Sequence, residues 1–282
     1  MTVEERRPVR VAFQGEPGAY SEEAVIQLCG DVETMPFARL AEAFDAVASG
    51  RADRGVVPVE NSQAGSINET YDLLLAHDLV IGAEYDLRVR HCLLALPGQA
   101  LAGIARVYSH PQALAQCEAY LRRLGVEVVP FYDTAGSAKM IAGERRAACA
   151  AIASRRAAAL YRLDILAEGI ETNPNNYTRF LAIGSVAAAR TARSKTSVVC
   201  AVRNQPGALH RVLGALASRE INMTKIESRP GRRRPWEYVF YIDFDGHAAE
   251  AEVGAALAEM REHTSMLRVL GSYPAAPERG AA

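Results

Sequence analysis

Residues 9–29 read VRVAFQGEPGAYSEEAVIQLC. Val9–Phe13 fits a short buried strand, and Gly15, Pro17 and Gly18 fit a tight loop. Tyr20–Cys29 reads as a helix. A strand, a glycine-bearing loop and a helix in that order form the repeating unit of an α/β fold. The same alternation continues outward from this stretch. Gly55–Val59 reads as a strand, Arg39–Ser49 and Ile67–Ala76 as helices, and Leu79–Val89 and Cys92–Ala95 as strands. Ala105–Tyr108, helix Pro111–Leu124, Glu127–Pro130, helix Thr134–Gly143 and Ala150–Ala153 extend it. The spacing of Leu114, Cys117, Leu121 and Leu124 places one apolar face along 111–124. βαβ units on a mostly parallel sheet follow.

The alternation lapses in AAARTARSK, residues 187–195, which reads as a linker. Beyond it the order changes. Strand Thr196–Val202, helix Gly207–Ser218, paired strands Asn222–Glu227 and Glu237–Phe244, helix Ala248–His263 and strand Met266–Tyr273 give βαββαβ, the ferredoxin-like order. The chain of 282 residues, 30.5 kDa, thus resolves into two domains. No repeat of 20–50 residues is present.

Composition narrows the function. Thirty-two Lys and Arg against 33 Asp and Glu leave a formal charge of -1, which disfavours a generally basic nucleic-acid binder. Cys29, Cys92, Cys117, Cys149 and Cys200 contain no CxxC pair, and the six histidines have no metal-ligand spacing, so neither a disulfide framework nor a zinc site is expected. The charged start MTVEERRPVR lacks an apolar core, and no run approaches the ~18 apolar residues of a membrane span. A cytoplasmic protein is expected, with neither membrane nor nucleic acid as partner.

Several predicted strands end in loop–helix junctions. Gly15–Ser21 is one. Glu60–Ser66 is another, where Ser66 with Glu69 fits a capping box. Ser109-His110-Pro111 puts Pro111 at a first helical position, and Asp133-Thr134 precedes a further helix. Ligands bind at the carboxyl ends of strands in open α/β sheets, and helix starts offer free N–H groups to an anion. Capping alone accounts for such residues equally well. No GxGxxG or GxxxxGK[ST] occurs, so a nucleotide cofactor is disfavoured. Asn173–Phe180 (NPNNYTRF) leads a polar turn into a strand and sets Thr178 beside Arg179, a residue able to grip a carboxylate with two bonds.

Taken together, VAFQGEPGAYSEEA, VVPVENSQAGSINETYDLL, HCLLALPG, YSHPQALAQCEAYL, DTAGSA, LAEGIE and NYTRF, then KTS, PGAL, TKIESRP and VLGSYP, resemble the prephenate dehydratase family in order over nearly the whole chain. The resemblance implies an α/β, two-lobed, periplasmic-binding-protein-like catalytic domain over 8–186. It also implies a ferredoxin-like βαββαβ ACT regulatory domain over 196–274 that binds phenylalanine. Only eight residues precede the first strand, which fits a monofunctional chain. The reaction implied is decarboxylating dehydration of prephenate to phenylpyruvate, without cofactor or metal.

By that resemblance Thr178 contacts the departing hydroxyl and Arg179 a carboxylate, with Asn61, Ser109 and Gln116 near the substrate and Ser21, Ser66 and Thr134 as second choices. His110 reads as a structural residue at a helix start. Gly207, Ala208, Leu209, Glu227, Ser228, Arg229 and Pro230 would form the phenylalanine site, in a homodimer or homotetramer. Arg232–Arg234 beside Trp236 reads as a solvated hairpin loop. GEPGAYS and DTAGSA look more like arogenate dehydratases, with Glu16 and Asp133 as candidates to meet an ammonium. Arogenate dehydration is therefore one alternative, and a non-catalytic amino-acid sensor is another.

Overall fold

The computed structural model describes residues 7–203, 205–231 and 238–276. The chain opens with β1 (Arg10–Gln14), α1 (Tyr20–Cys29), β2 (Glu33–Phe37), α2 (Leu40–Ala48), β3 (Arg54–Asn61), β4 (Gly65–Ser66), α3 (Asn68–Ala76) and β5 (Val80–Arg88). There follow β6 (Cys92–Ala95), β7 (Arg106–Ser109), α4 (Pro111–Gln116), α5 (Glu118–Leu124), β8 (Glu127–Pro130), α6 (Thr134–Glu144), β9 (Cys149–Ala153), α7 (Arg155–Tyr161), β10 (Asp164–Glu168) and β11 (Tyr177–Gly184). The last part holds β12 (Ser194–Val202), α8 (Ala208–Ala217), β13 (Met223–Pro230), β14 (Tyr238–Asp245), α9 (Ala251–Glu262) and β15 (Thr264–Pro274). Residues 187–193 carry no regular structure, as their composition predicts.

Two compact units result: Met1–Gly65 with Asp86–Phe180, and Ser66–Tyr85 with Leu181–Ala282. Strands β1–β11 form two sheets. One has the order β2-β1-β3-β11-β5, with β1 parallel to both neighbours. The other has the order β10-β6-β9-β7-β8. In it β7 runs parallel to β8 and β9, while β6 runs antiparallel to β9 and β10. The chain visits the first sheet, crosses to the second, and returns through β11. That double crossover makes the two lobes. Val11, Ala12, Phe13, Val56, Val57 and all of β9 are fully or almost fully buried, because parallel strands covered on both faces need continuous apolar runs.

Three local readings change. The helix expected over 111–124 is broken at Cys117 (φ −103°, ψ 12°) into α4 and α5. There the Gln116 carbonyl turns aside to accept the N–H of Thr172 at 2.8 Å. The capping box at Ser66 is absent. The helix starts at Asn68 behind Ile67, which supplies no side-chain cap, and the Ser66 hydroxyl donates to Glu227 instead. β2, α7 and β10 occupy stretches that had no assigned element.

The second unit is a four-stranded antiparallel sheet, β13-β14-β12-β15. α8 and α9 cover one face through Val198, Cys200, Val212, Leu216, Ile242, Phe244 and Leu257. The opposite face receives α3. The Tyr71 ring lies 4.8 Å from that of Tyr241, whose hydroxyl donates to the Tyr71 carbonyl at 2.6 Å. Arg268 donates to the Leu74 and His77 carbonyls, so a cation satisfies the end of α3 where the helix dipole is negative. Lys195 and Glu84, almost wholly buried, pair at 2.6 Å. Residues 66–85 are thus held by the βαββαβ unit although the sequence places them among the first domain's elements.

Candidate active site

The end of β3 and the start of β11 bring Asn61, Asn176 and Thr178 together. Asn61 is 5% exposed and Asn176 is fully buried. The Asn61 carbonyl oxygen accepts the backbone N–H groups of Gln63 and Ala64, both at 3.0 Å. That fixes its amide nitrogen toward β11, where it donates to Asn176 Oδ1 (2.8 Å), the Thr178 hydroxyl oxygen (3.0 Å) and the Tyr177 carbonyl (3.2 Å). Asn176 and Thr178 are two residues apart on an extended segment and so share a side. Arg179 lies on the opposite side of the strand from Thr178 by the same rule. The threonine oxygen accepts from Asn61, and its own O–H remains able to donate.

The chain of amides continues. Asn176 Nδ2 donates to Gln116 Oε1 at 2.9 Å, and Gln116 Nε2 faces Asn61 Oδ1 at 3.4 Å. His91 Nε2 lies 2.8 Å from the same Gln116 oxygen, and His91 Nδ1 lies 2.9 Å from the Tyr20 hydroxyl. The His91 backbone N–H donates to the buried carboxylate of Glu171 at 3.0 Å. Burial lowers the His91 pKa below the usual histidine value and keeps the ring neutral.

A second cluster forms around the Gly15–Gly18 loop. Its Pro17 carbonyl accepts from Tyr161 (2.7 Å), and its Gly18 carbonyl from Ser154 (2.6 Å). Glu16 accepts from Tyr132 (2.9 Å) and pairs with Lys139 (2.8 Å), which holds its carboxyl below the ordinary value. Gly18 sits at φ +90°, where an added Cβ would stand 2.9 Å from the Ala157 Cα, so only glycine fits. Asp133 caps α6 through Gly136 N–H at 2.7 Å, and burial raises its carboxyl's pKa.

Of the residues singled out from sequence, Asn61, Gln116 and Thr178 meet. Ser21 and Thr134 are half-buried in the first turns of α1 and α6. Ser109 is fully buried and its hydroxyl donates to the Ile152 carbonyl at 2.6 Å, so its proton is committed. Ser66 turns to Glu227. His110 caps α4 by accepting Gln112 N–H at 3.3 Å, its expected structural part. Asn176, His91 and Tyr20 were not singled out. Their signal was present only as polar side chains beside buried strands.

The regulatory candidates divide between two faces. Gly207 (φ +76°), Ala208 and Leu209 start α8 on the helix-covered face. On β13, the register sets Glu227 opposite Tyr241 and Ser228 opposite Phe240. Glu227 and Arg229 therefore point to the face that receives α3, where Arg229 pairs with Asp72 at 3.1 Å. Ser228 shares the α8 face with Phe240, and Pro230 closes the strand. Arg232–Arg234 and Trp236 lie outside the described residues.

Two α/β lobes carrying a neutral, donor-rich site, joined to a βαββαβ domain, define a small-molecule enzyme with a regulatory module. Comparison with known proteins gives the family. The prephenate dehydratase family model matches residues 11–188 and the ACT domain model residues 196–262. Arogenate dehydratase 1 of Petunia hybrida is 49% identical over 94% of the chain and 67% of its own length. Arogenate dehydratase/prephenate dehydratase 6 of Arabidopsis thaliana is 48% identical over 94% and 69%. The chain thus spans about two thirds of these relatives' length. Among solved structures, prephenate dehydratase of Arthrobacter aurescens in complex with L-Phe has a TM-score of 0.87 at 35% identity, covering 94% of this chain and 90% of that one. A protein described as a novel type of quorum quenching acylase has a TM-score of 0.88 at 37% identity, covering 95% and 98%. The chain belongs to the prephenate dehydratase family, with an ACT domain following the catalytic one.

Proposed function

We propose that this chain converts prephenate to phenylpyruvate, and that Thr178, oriented by Asn61, serves the departing hydroxyl. The ring carboxylate leaves as carbon dioxide. Its electron pair enters the ring and expels the hydroxyl, which takes up a proton and departs as water. Aromatisation drives the reaction, so the barrier lies in losing the hydroxyl. A positioned donor there is worth ~10²–10⁴-fold. The carrying observation is the Asn61 amide bonded to the Thr178 oxygen, which leaves the threonine proton available for the substrate. A neutral site also suits a carboxylate that must be discharged, because tight ion pairing would stabilise the ground state. Half-buried Ser21 and Thr134, at helix starts, are suited to the side-chain carboxylate. Arg179, on the far side of β11, braces the strand in this reading rather than meeting the reacting atoms.

The catalytic domain is taken as 8–186 and the regulatory domain as 196–274. Phenylalanine is the proposed effector, supported by the ACT domain and by the L-Phe complex of a relative. Its pocket is proposed around Gly207–Leu209 and Ser228, with Glu227, Arg229 and Pro230 on the same strand transmitting its occupancy. Edge strand β13 exposes Met223 and Ile226, which supports a homodimer or homotetramer built on that sheet. Five unpaired cysteines, four of them buried, suit a reducing compartment such as the cytoplasm.

Arogenate is the second reading, favoured by 48–49% identity to plant arogenate dehydratases. With Glu16 already paired to Lys139, Asp133 is the carboxylate suited to the ammonium. Amide hydrolysis, as a quorum quenching acylase would need, is poorly served by Ser109 or Cys92. The Ser109 proton is committed, and burial pushes the Cys92 thiol to about 12. Purified protein given prephenate and arogenate in turn decides the matter. Phenylpyruvate supports the first reading and direct formation of phenylalanine the second. Turnover of neither returns the chain to an amino-acid sensor. Phenylalanine added to the productive assay should slow it, and unchanged turnover with phenylalanine bound would remove the regulatory reading.

A further inference from the structure

The amides around Thr178 can be oriented in one way only. Two backbone N–H groups, of Gln63 and Ala64, point at Asn61 and require its oxygen there. Its nitrogen then faces Asn176, which must present its oxygen to Asn61 and its nitrogen to Gln116. Gln116 must therefore present its oxygen to Asn176, and that same oxygen faces His91 Nε2. Turning any one amide over would set donor against donor or acceptor against acceptor in a buried place, which is costly. His91 Nε2 thus carries a proton. In a neutral ring Nδ1 is then bare, and of the two acceptors beside the Tyr20 hydroxyl, Nδ1 at 2.9 Å and the Arg90 carbonyl at 3.0 Å, the ring nitrogen takes its proton, since otherwise two bare acceptors would face each other. Tyr20 packs edge-on against the ring at a centroid distance of 5.5 Å and an angle of 81°.

We infer that Tyr20 and His91 are positioning residues: Tyr20 selects the Nε2–H form of His91, whose proton pins the Gln116 amide and, through Asn176 and Asn61, the Thr178 hydroxyl. Neither residue touches the reacting atoms. If Tyr20 is lost, the alternative Nδ1–H ring would present a bare Nε2 to the Gln116 oxygen. The glutamine would then have to turn over against Asn176. This inference rests on the dehydratase reading above.

Three measurements test it. In wild-type protein labelled with 15N-histidine, the signals absent from His91→Gln identify His91. A protonated Nε2 and a bare Nδ1 are expected, and an Nδ1–H ring overturns the inference whatever the substrate is. Tyr20→Phe keeps the ring packing and should lower kcat ~10–100-fold, the scale of a small misplacement of reacting groups, with KM changed less than about threefold. Unchanged kcat in folded Tyr20→Phe refutes it. His91→Gln places an amide N–H near the Nε2 position, whereas His91→Asn reaches only the Nδ1 position. The glutamine variant should therefore retain about tenfold more kcat than the asparagine variant. Equal losses in both, at equal thermal stability, would make His91 a packing residue and overturn the inference. Wild-type protein that turns over neither prephenate nor arogenate sinks the functional reading and leaves the histidine signals to decide the rest.

Discussion

Asn61→Asp separates the orienting role of this residue from its bulk. The change keeps the oxygen that receives the Gln63 and Ala64 N–H groups and replaces the donating nitrogen by an acceptor. Three bonds are affected. The Tyr177 carbonyl still accepts Ser62 N–H at 2.8 Å, so it keeps a partner. Asn176 Oδ1, fully buried and 2.8 Å away, loses its donor. A buried acceptor left without a partner costs about 1–3 kcal/mol, which lowers Tm by roughly 2–4 °C per kcal/mol. Thr178 responds differently. Its hydroxyl turns to donate to the new carboxylate at 3.0 Å, so the proton available for the substrate is withdrawn. The predicted loss in kcat is ~10²–10⁴-fold. Protonation of the introduced carboxylate restores a donor, and a carboxyl in this buried place titrates above its usual ~3.9. The ratio of variant to wild-type kcat should therefore rise as pH falls from about 8 to about 5. Initial rates of product formation across that range, beside thermal melts, measure both effects. A folded Asn61→Asp enzyme within about threefold of wild-type kcat at pH ~8 would refute the reasoning.

Three further outcomes concern stability. An added Cβ at Gly271 would stand 2.2 Å from the Ile81 carbonyl oxygen and 3.0 Å from its C and N atoms, so Gly271→Ala should cost ~2–4 kcal/mol in a denaturant melt, and a neutral result would mean β5 and β15 are not packed as described. Glu22 accepts from Gly18 N–H, Thr34 and Arg156 at 2.7–2.9 Å; these bonds outweigh the burial that raises its pKa and leave the carboxyl below 4.5. A depressed folded pKa stabilises above the unfolded value and is lost as pH falls through the folded one, so Glu22→Gln should destabilise at neutral pH and flatten the stability loss below about pH 4.5. Lys195→Met removes the ammonium that pairs with Glu84, 2% exposed at its side chain, and should lower stability in a thermal melt, whereas Lys195→Met with Glu84→Leu should recover part of the loss.

The fold was largely legible because its signals are local. α1 begins and ends where the sequence places it, and the βαββαβ order follows from strand and helix periods alone. What escaped depends on partners distant in sequence. Nothing in Pro111–Leu124 announces that Thr172 will capture the Gln116 carbonyl, and nothing near Ser66 announces Glu227. β2 escaped for another reason, since Pro36 breaks its strand pattern. In the site, Asn61, Gln116 and Thr178 were found through motifs, but no spacing links residues 20, 91 and 176. The division of Glu227 and Ser228 between two faces follows from strand alternation and could have been read beforehand. The side to which α3 docks could not.

In the proposed reaction the Thr178 hydroxyl, bonded to Asn61, serves the departing hydroxyl of the substrate. Single-turnover rates for Thr178→Ser and Thr178→Val, with substrate binding measured separately, test it most directly. Serine keeps the hydroxyl and should retain turnover within about tenfold, while valine keeps the shape and should lose ~10²–10⁴-fold with binding little changed. A folded Thr178→Val enzyme that turns over prephenate or arogenate at the wild-type rate would contradict the account.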